Sequence, residues 1–199
     1  MPRAFLAFAT LAALAVPAAA APDTVEKTDV LDFEIVRHAD GTTTMRDSSY
    51  ELTFPGHAEA AASAVDAPSG GKRMTGQVSL MGADDFYYMY VIPIPLDVPY
   101  NVDVGLGAAR DNALKVINAK IVKETRENLG GLEFRHTVAD GEADGKKVHV
   151  NFYVAWDATH HTALGFFTGE MAGHKAAYDA FPKSFKFHKT GKNPPAIAG

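Results

Sequence analysis

Between Leu132 and Trp156 the chain alternates apolar and polar positions on both sides of one turn-rich segment. Leu132, Phe134, His136 and Val138 share one phase before Asp140–Gly145; Val148, Val150, Phe152, Val154 and Trp156 share one phase after it. A period of two sustained over this length belongs to strands half-buried in an antiparallel sheet. Leu164 and Phe166 continue the pattern beyond a turn at Asp157-Ala158-Thr159. A meander of strands is therefore the frame into which the rest of the chain has to fit.

Upstream, Phe33 to Arg37 reads as a strand, Asp40-Gly41 as a hairpin turn and Thr42 to Met45 as the returning strand. Tyr50, Leu52 and Phe54 alternate with Glu51 and Thr53 until Pro55-Gly56 stops them. His57 to Lys72 has no clear period and reads as a loop or a frayed helix. Met74 to Leu80 is a strand candidate. Phe86 to Ile92 is apolar or aromatic at every position, as expected of a central strand covered on both faces. Asp103 suits the cap of a helix whose stripe is Leu106, Ala109, Ala113, Leu114 and Ile117. Ile121 to Glu127 reads as a polar strand, Lys175 to Phe181 as a short helix, and Phe185 with Phe187 as a last short strand. The fold class expected is α+β: an antiparallel β-sheet sandwiched by helices, an α-β-α sandwich.

The 199 residues, 47% hydrophobic and 22% charged, are enough for one core. A net charge of −5 argues against a cationic nucleic-acid binder. With no Cys, thiol catalysis, Cys-ligated zinc and a disulfide scaffold are all excluded. Residues 1–20 read as a secretory signal peptide. Arg3 supplies the positive start, Ala4 to Val16 the apolar stretch, and Ala18-Ala19-Ala20 the cleavage pattern. A retained anchor helix is the alternative, but the stretch is short and Ala-rich for a bilayer span. The expected organisation is a signal peptide over 1–20, a flexible segment over 21–29, one domain over 30–188 and a flexible tail over 189–199. The expected location is periplasmic or secreted, with no later membrane span.

Tyr50-Glu51-Leu52-Thr53-Phe54-Pro55-Gly56 resembles the opening strand of PsbP-like and DcrB-like bacterial proteins. Ala108 to Ile117 sits where those proteins have a helix, and Gly130-Gly131-Leu132-Glu133-Phe134 resembles their Gly-x-Glu-Phe strand start. Ala180-Phe181 with Ser184-Phe185-Lys186-Phe187 resembles their closing helix and strand. The resemblance covers about 50 to 188. It implies an antiparallel sheet sandwiched by helices and an accessory or assembly role without catalysis, and it brings no catalytic motif.

Nucleophile-elbow, phosphate-loop and His-Glu-x-x-His patterns are absent. Asp140-Gly141-Glu142-Ala143-Asp144-Gly145 places oxygen ligands like the start of a calcium loop, but Asn151 stands where such a loop needs its bidentate Glu. A polar hairpin turn is the plainer reading of Asp140, Glu142 and Asp144. His160 and His161 are candidate ligands for a surface ion, against the plainer reading of solvated side chains. If Phe152 faces Phe134, pairs across the hairpin share parity, and His136 and His149 then lie on opposite faces. His136 reads as a satisfied core histidine rather than a catalytic base, since no nucleophile or paired carboxylate is placed beside it. The aromatics over 86–90 suit either core packing or the floor of a ligand pocket.

These readings rank a non-enzymatic exported accessory protein first, with a protein partner and no cofactor. A periplasmic binder of a small apolar ligand or a metal ion comes second, and a hydrolase third. A cavity beneath Tyr88 and Tyr90 favours the ligand reading, and a flat apolar patch favours a protein partner.

Overall fold

The computed structural model describes residues 22–27, 33–66, 72–96, 99–143, 145–171 and 175–189. The expected signal peptide, most of the expected tail and Asp144 lie outside the described residues.

Two antiparallel sheets and two helices make up the described fold. The smaller sheet holds β1 (Thr24–Lys27), β2 (Glu34–Arg37), β3 (Thr43–Arg46), β4 (Tyr50–Phe54) and β12 (Lys186–Phe187), hydrogen-bonded in that order. The larger sheet is built from β5 (Glu59–Asp66), β6 (Lys72–Met81), β7 (Asp85–Pro93), β8 (Lys120–Leu129), β9 (Leu132–Ala143), β10 (Lys146–Asp157) and β11 (Thr162–Glu170). Its order is β5-β6-β7-β11-β10-β9-β8. Helix α1 (Val102–Val116) precedes β8, and α2 (Lys175–Lys183) precedes β12.

The α-β-α expectation is overturned by these layers. One face of the large sheet does carry a helix, α1. The other is covered by the small sheet together with α2, so that layer is mainly β. Its packing is one continuous cluster: Ile35, Met45, Leu52 and Phe54 of the small sheet meet Met89, Phe134, Tyr153 and Phe166 of the large one. Phe181 from α2 joins it, with its ring 5.1 Å from Phe54 and 5.2 Å from Tyr87. The second cluster lies under α1, where Leu106 meets Val148, Val150, Phe152 and Val154. Tyr50, Leu52 and Phe54 do alternate as expected, but the strand they form builds the second sheet with β3 and β12.

Other local readings also change. The Ala-rich 57–72 region carries β5, an edge strand paired with β6, rather than a loop or frayed helix. Within the 21–29 segment Thr24–Lys27 pairs with Glu34–Arg37. Strand β9 runs through Asp140 to Ala143, which pairs with Lys146, so only two positions, 144 and 145, are left to connect the strands. Asp-Gly is a favoured sequence for a two-residue hairpin connection, and Gly145 adopts a φ of +74° there.

The register is shifted by three residues from the one expected, and an odd shift reverses the parity. Phe152 pairs with Thr137 and Phe167, and it is Tyr153 that lies beside His136 and Phe166. Phe152 therefore faces α1, while Phe134 and Tyr153 face the small sheet. His136 and His149 consequently share a face, contrary to the sequence arithmetic. They stay apart along the hairpin because His136 is opposite Tyr153 and His149 is opposite Asp140.

Both faces of β10 are closed: Phe152 is 0% exposed and Tyr153 6%. Replacing either with Ala removes an aromatic contact and leaves a cavity. Phe152→Ala and Tyr153→Ala should each destabilise the fold by about 3–5 kcal/mol, read as a lowered urea midpoint at constant slope. A near-neutral Tyr153→Ala would mean that the small sheet does not cover that face.

Candidate functional site

Helix α1 is anchored along one side of its sheet face. Asn101 caps it, its side chain accepting from the Val104 N–H at 3.2 Å, so the cap is two residues before the expected Asp103. Asp103 instead sits in the first turn and pairs with Arg135 of β9. The Tyr100 ring stacks on Trp156 of β10 with centroids 4.7 Å apart, and it lies against Gly105, where a Cβ would collide with it. Arg110 reaches Glu124 of β8 at 2.5 Å, and this guanidinium holds the Glu124 carboxyl below the usual carboxylate range. At the other end Glu142 N–H donates to the Ile117 carbonyl at 2.8 Å.

Every one of these anchors is on β8, β9 or β10. The half of the face made by β6 and β7 is left uncovered, and there an apolar groove of about 450 Å³ opens. Phe86, Tyr88 and Tyr90 from β7, with Phe152 and Phe167, form its floor. Ala113, Leu114, Val116 and Ile117 of α1 form its wall. Met81 and Val116 stand at the rim, 73% and 86% exposed. The two-sided burial expected for Phe86–Ile92 is thus uneven: Tyr87, Met89 and Val91 are buried against the small sheet, while Phe86, Tyr88 and Tyr90 are half-buried in the groove.

Among the described residues no carboxylate, imidazole or cationic side chain lines this groove. Tyr88 donates to Gln77 Oε1. The Tyr90 hydroxyl is closed off from water without a hydrogen-bond partner, and burial pushes its pKa up. It lies over Gly165, where a Cβ would stand 2.5 Å from the hydroxyl oxygen. A second cleft of about 690 Å³ has a polar lining and shares only Met171 with the groove; by strand register its charged side chains belong to the opposite face of the sheet, the one turned to the small sheet. The cleft holds Lys120, Asp140, Glu142, Lys147, His149 and Glu170.

A different polar cluster is sealed between the sheets. The Asp157 carboxylate accepts from the Tyr50 hydroxyl at 2.6 Å and from the Thr159 and His160 N–H groups at 2.9 and 3.2 Å. His160 Nδ1 lies 2.5 Å from Asp157 Oδ2, and both side chains are 1% exposed. A carboxylate, an imidazole and a phenol in contact have the composition of a catalytic array, but at this depth they are closed to a substrate. Their work is to hold the β10–β11 turn against β4.

The metal-ligand candidates read from the sequence are dispersed. Asp140 is engaged by His149 Nδ1 at 2.7 Å. Glu142 is in the same strand. His160 turns inward to Asp157, and His161, with a φ of +53°, turns away so that its Nδ1 meets the Ile94 carbonyl oxygen at 2.8 Å. Among the described residues no group of three or more His, Asp or Glu side chains is placed to hold a metal ion. His136 is stacked on Tyr153 at 4.1 Å, with Nδ1 2.6 Å from Glu127 Oε1 and Nε2 2.9 Å from Asn151 Oδ1. The aromatic floor is visible in the run 86–90. Its partner Phe167 and the helix wall are not, because the shifted register and the sideways placement of α1 are tertiary facts.

Two measurements test the sealed cluster. Tyr50→Phe removes a hydrogen bond to a buried charge and should cost about 1.5–3 kcal/mol of stability, seen in urea unfolding. Asp47 is a half-buried acid nearby; desolvation raises its pKa, against the backbone N–H groups of Ser49 and Tyr50. Because the folded state then holds this proton more tightly than the unfolded chain, the stability linked to it is complete below about pH 4 and is lost as pH rises through the raised value. Asp47→Asn should therefore be more stable than the parent at pH 7, with the difference closing toward pH 3 in thermal melts.

Among the described residues no helix is long and apolar enough to cross a membrane. No family model matches the chain, and no curated protein matches it. The chain is similar to the solution structure of cyanobacterial PsbP (CyanoP) from Synechocystis sp. PCC 6803. The identity is 14% over 75% of this chain and 94% of that one, with a TM-score of 0.48.

Proposed function

We propose that this protein is a non-enzymatic binding protein whose α1 groove takes a small, largely apolar molecule. The observation that carries this reading is the groove itself. It offers about 450 Å³ between an aromatic floor and a helix wall, with no carboxylate, imidazole or cationic side chain among its described lining residues. That volume is in the range of small-molecule sites, and such sites are mostly apolar and aromatic. A charge carried into this groove would find no counter-charge, so the part of the ligand it holds is uncharged. The floor favours a flat ring or an extended chain, since Tyr88 and Phe167 lie only 34° from parallel with centroids 4.9 Å apart. Met81 and Met171 at its ends are flexible enough to adjust to different occupants.

The reading stays within the broader class of a non-enzymatic accessory protein and specifies what such a protein holds. The sealed position of Asp157 and His160 supports a structural rather than a catalytic use of the chain's nearest approach to an acid–base array. Export belongs to the same proposal, and rests on Arg3, the apolar run Ala4 to Val16 and the Ala18-x-Ala20 pattern.

Fluorescence titration with the neutral probe N-phenylnaphthylamine tests the groove. The probe should bind with increased emission. Ala113→Trp, which fills the space between α1 and the floor, should weaken binding about tenfold or more while leaving the thermal midpoint close to that of the parent. Equal binding by parent and variant would remove the groove as the site. N-terminal sequencing of the protein recovered from its native host tests export. The expected start is Ala21, and a start at Met1 in a membrane fraction would contradict it.

A further inference from the structure

Among the described lining residues of the α1 groove, two tyrosines supply the only side-chain oxygen or nitrogen atoms. They are not equivalent. The Tyr90 hydroxyl is closed off from water over Gly165, so an occupant of the groove does not reach it. Tyr88 is half-buried, and its hydroxyl donates to Gln77 Oε1 of β6. Gln77 pairs with Tyr90 in the β6–β7 ladder, which puts it on the groove side of the sheet. Burial pushes the Tyr88 pKa up, so the phenol keeps its proton at neutral pH. That one proton is committed to Gln77. A phenol has a single O–H, so what Tyr88 has left to offer is acceptor capacity. An occupant that places a carbonyl or ether oxygen there sets two acceptors against each other. One that brings an O–H or N–H completes a hydrogen bond.

Size and floor restrict the rest of the molecule. An apolar cavity of about 150 Å³ takes one benzene ring, so a groove of about 450 Å³ holds two or three rings. The floor presents ring edges and ring faces together: Phe86 and Phe167 meet at 80°, while Tyr88 and Phe167 are 34° from parallel. A flat aromatic occupant gains stacking and edge contacts beyond the area it buries, whereas an alkyl chain gains the area alone.

We infer that the ligand is a neutral aromatic molecule of two or three fused rings bearing a hydroxyl or N–H group, which donates to the Tyr88 hydroxyl oxygen while the rings lie on the floor between β7 and α1. This rests on the groove reading above and narrows it from apolar molecules in general to aromatic hydrogen-bond donors. Gln77 is a positioning residue: by taking the Tyr88 proton it sets which kind of polar group the groove accepts.

The test is calorimetric titration of the full chain at pH 7 with 2-naphthol, its methyl ether 2-methoxynaphthalene, and decanol. 2-Naphthol should bind about tenfold more tightly than the ether, which cannot donate, and than decanol, which donates but has no ring. Tyr88→Phe should bring the ratio of naphthol to ether affinity down to about one. Gln77→Leu returns the Tyr88 proton to the groove and should also collapse the ratio, by strengthening binding of the ether. Equal affinities for naphthol and ether in the parent, or a ratio that survives either variant, would overturn the donor requirement. Decanol binding as tightly as 2-naphthol would overturn the aromatic requirement. Each of these results, with N-phenylnaphthylamine still bound by the parent, leaves the groove standing. Absence of binding by the probe and by all three ligands would remove the groove and this inference with it.

Discussion

A carboxylate shut away from water has to be satisfied on every side, and Asp157 places that demand at the point where the two sheets meet. Four donors converge on it: the Tyr50 hydroxyl, His160 Nδ1 and the Thr159 and His160 N–H groups. Tyr50 comes from β4 of the small sheet, and the other three come from the β10–β11 turn. Removing one partner leaves a buried charge short of compensation, which is far more costly than losing an exposed ion pair. The network thus fixes the orientation of the small sheet on the large one. The apolar cluster between them supplies the burial, with Phe54, Phe134, Phe166 and Phe181 all fully or nearly fully enclosed.

With one face closed by that sheet, the other face of β7, β11 and β10 is what remains for binding. Helix α1 is too narrow to cover it. A helix with its side chains is about 10–12 Å across, whereas neighbouring strands are spaced by about 4.8 Å, so one helix shields two or three strands of a seven-stranded sheet. Its ionic anchors, Asp103 to Arg135 and Arg110 to Glu124, draw it toward β9 and β8. The uncovered strip over β7 follows from these two facts. It reads in the sequence as aromatics, because those rings are only half-buried by their own protein.

Much of this fold is legible where local pattern and tertiary role coincide. The strands around 34–46, 50–54 and 132–156 follow from alternation, and Asp40-Gly41 marks its hairpin with Gly41 at a φ of +86°. What local pattern lacks is a label saying which sheet a strand joins. Tyr50-Leu52-Phe54 would alternate identically as an edge of the large sheet, and only its pairing with β3 and β12 makes the second layer. The Asp140–Gly145 segment misleads in a more instructive way. Its acids look like turn residues, but its first four positions extend β9 as ladder partners of Lys146 to His149. With the connection shortened to two residues the hairpin register moves by three, and any odd shift exchanges the faces of every side chain on the strand. The histidine and Phe134 placements change together for that single reason. In the Ala-rich β5, small side chains carry little amphipathic signal, so an edge strand there has no period to detect.

Two glycines on β11 explain why the groove has a floor rather than a ridge. Gly165 and Gly169 pair with Tyr90 and Phe86, on the side of the sheet facing α1. The Tyr90 ring lies across the first and the Phe86 ring across the second, in the space a side chain would fill. Phe167, between them on the same side, packs against Phe86 at 5.5 Å and Tyr88 at 4.9 Å. Laid down in this way, the aromatics form a low surface beneath the level of α1. With larger residues at 165 and 169 the rings would have to stand up and occupy the volume now open. The absence of two side chains is therefore as much a part of the binding surface as the rings are. It is also the feature least visible in a sequence, where a glycine inside a strand reads first as a weak point.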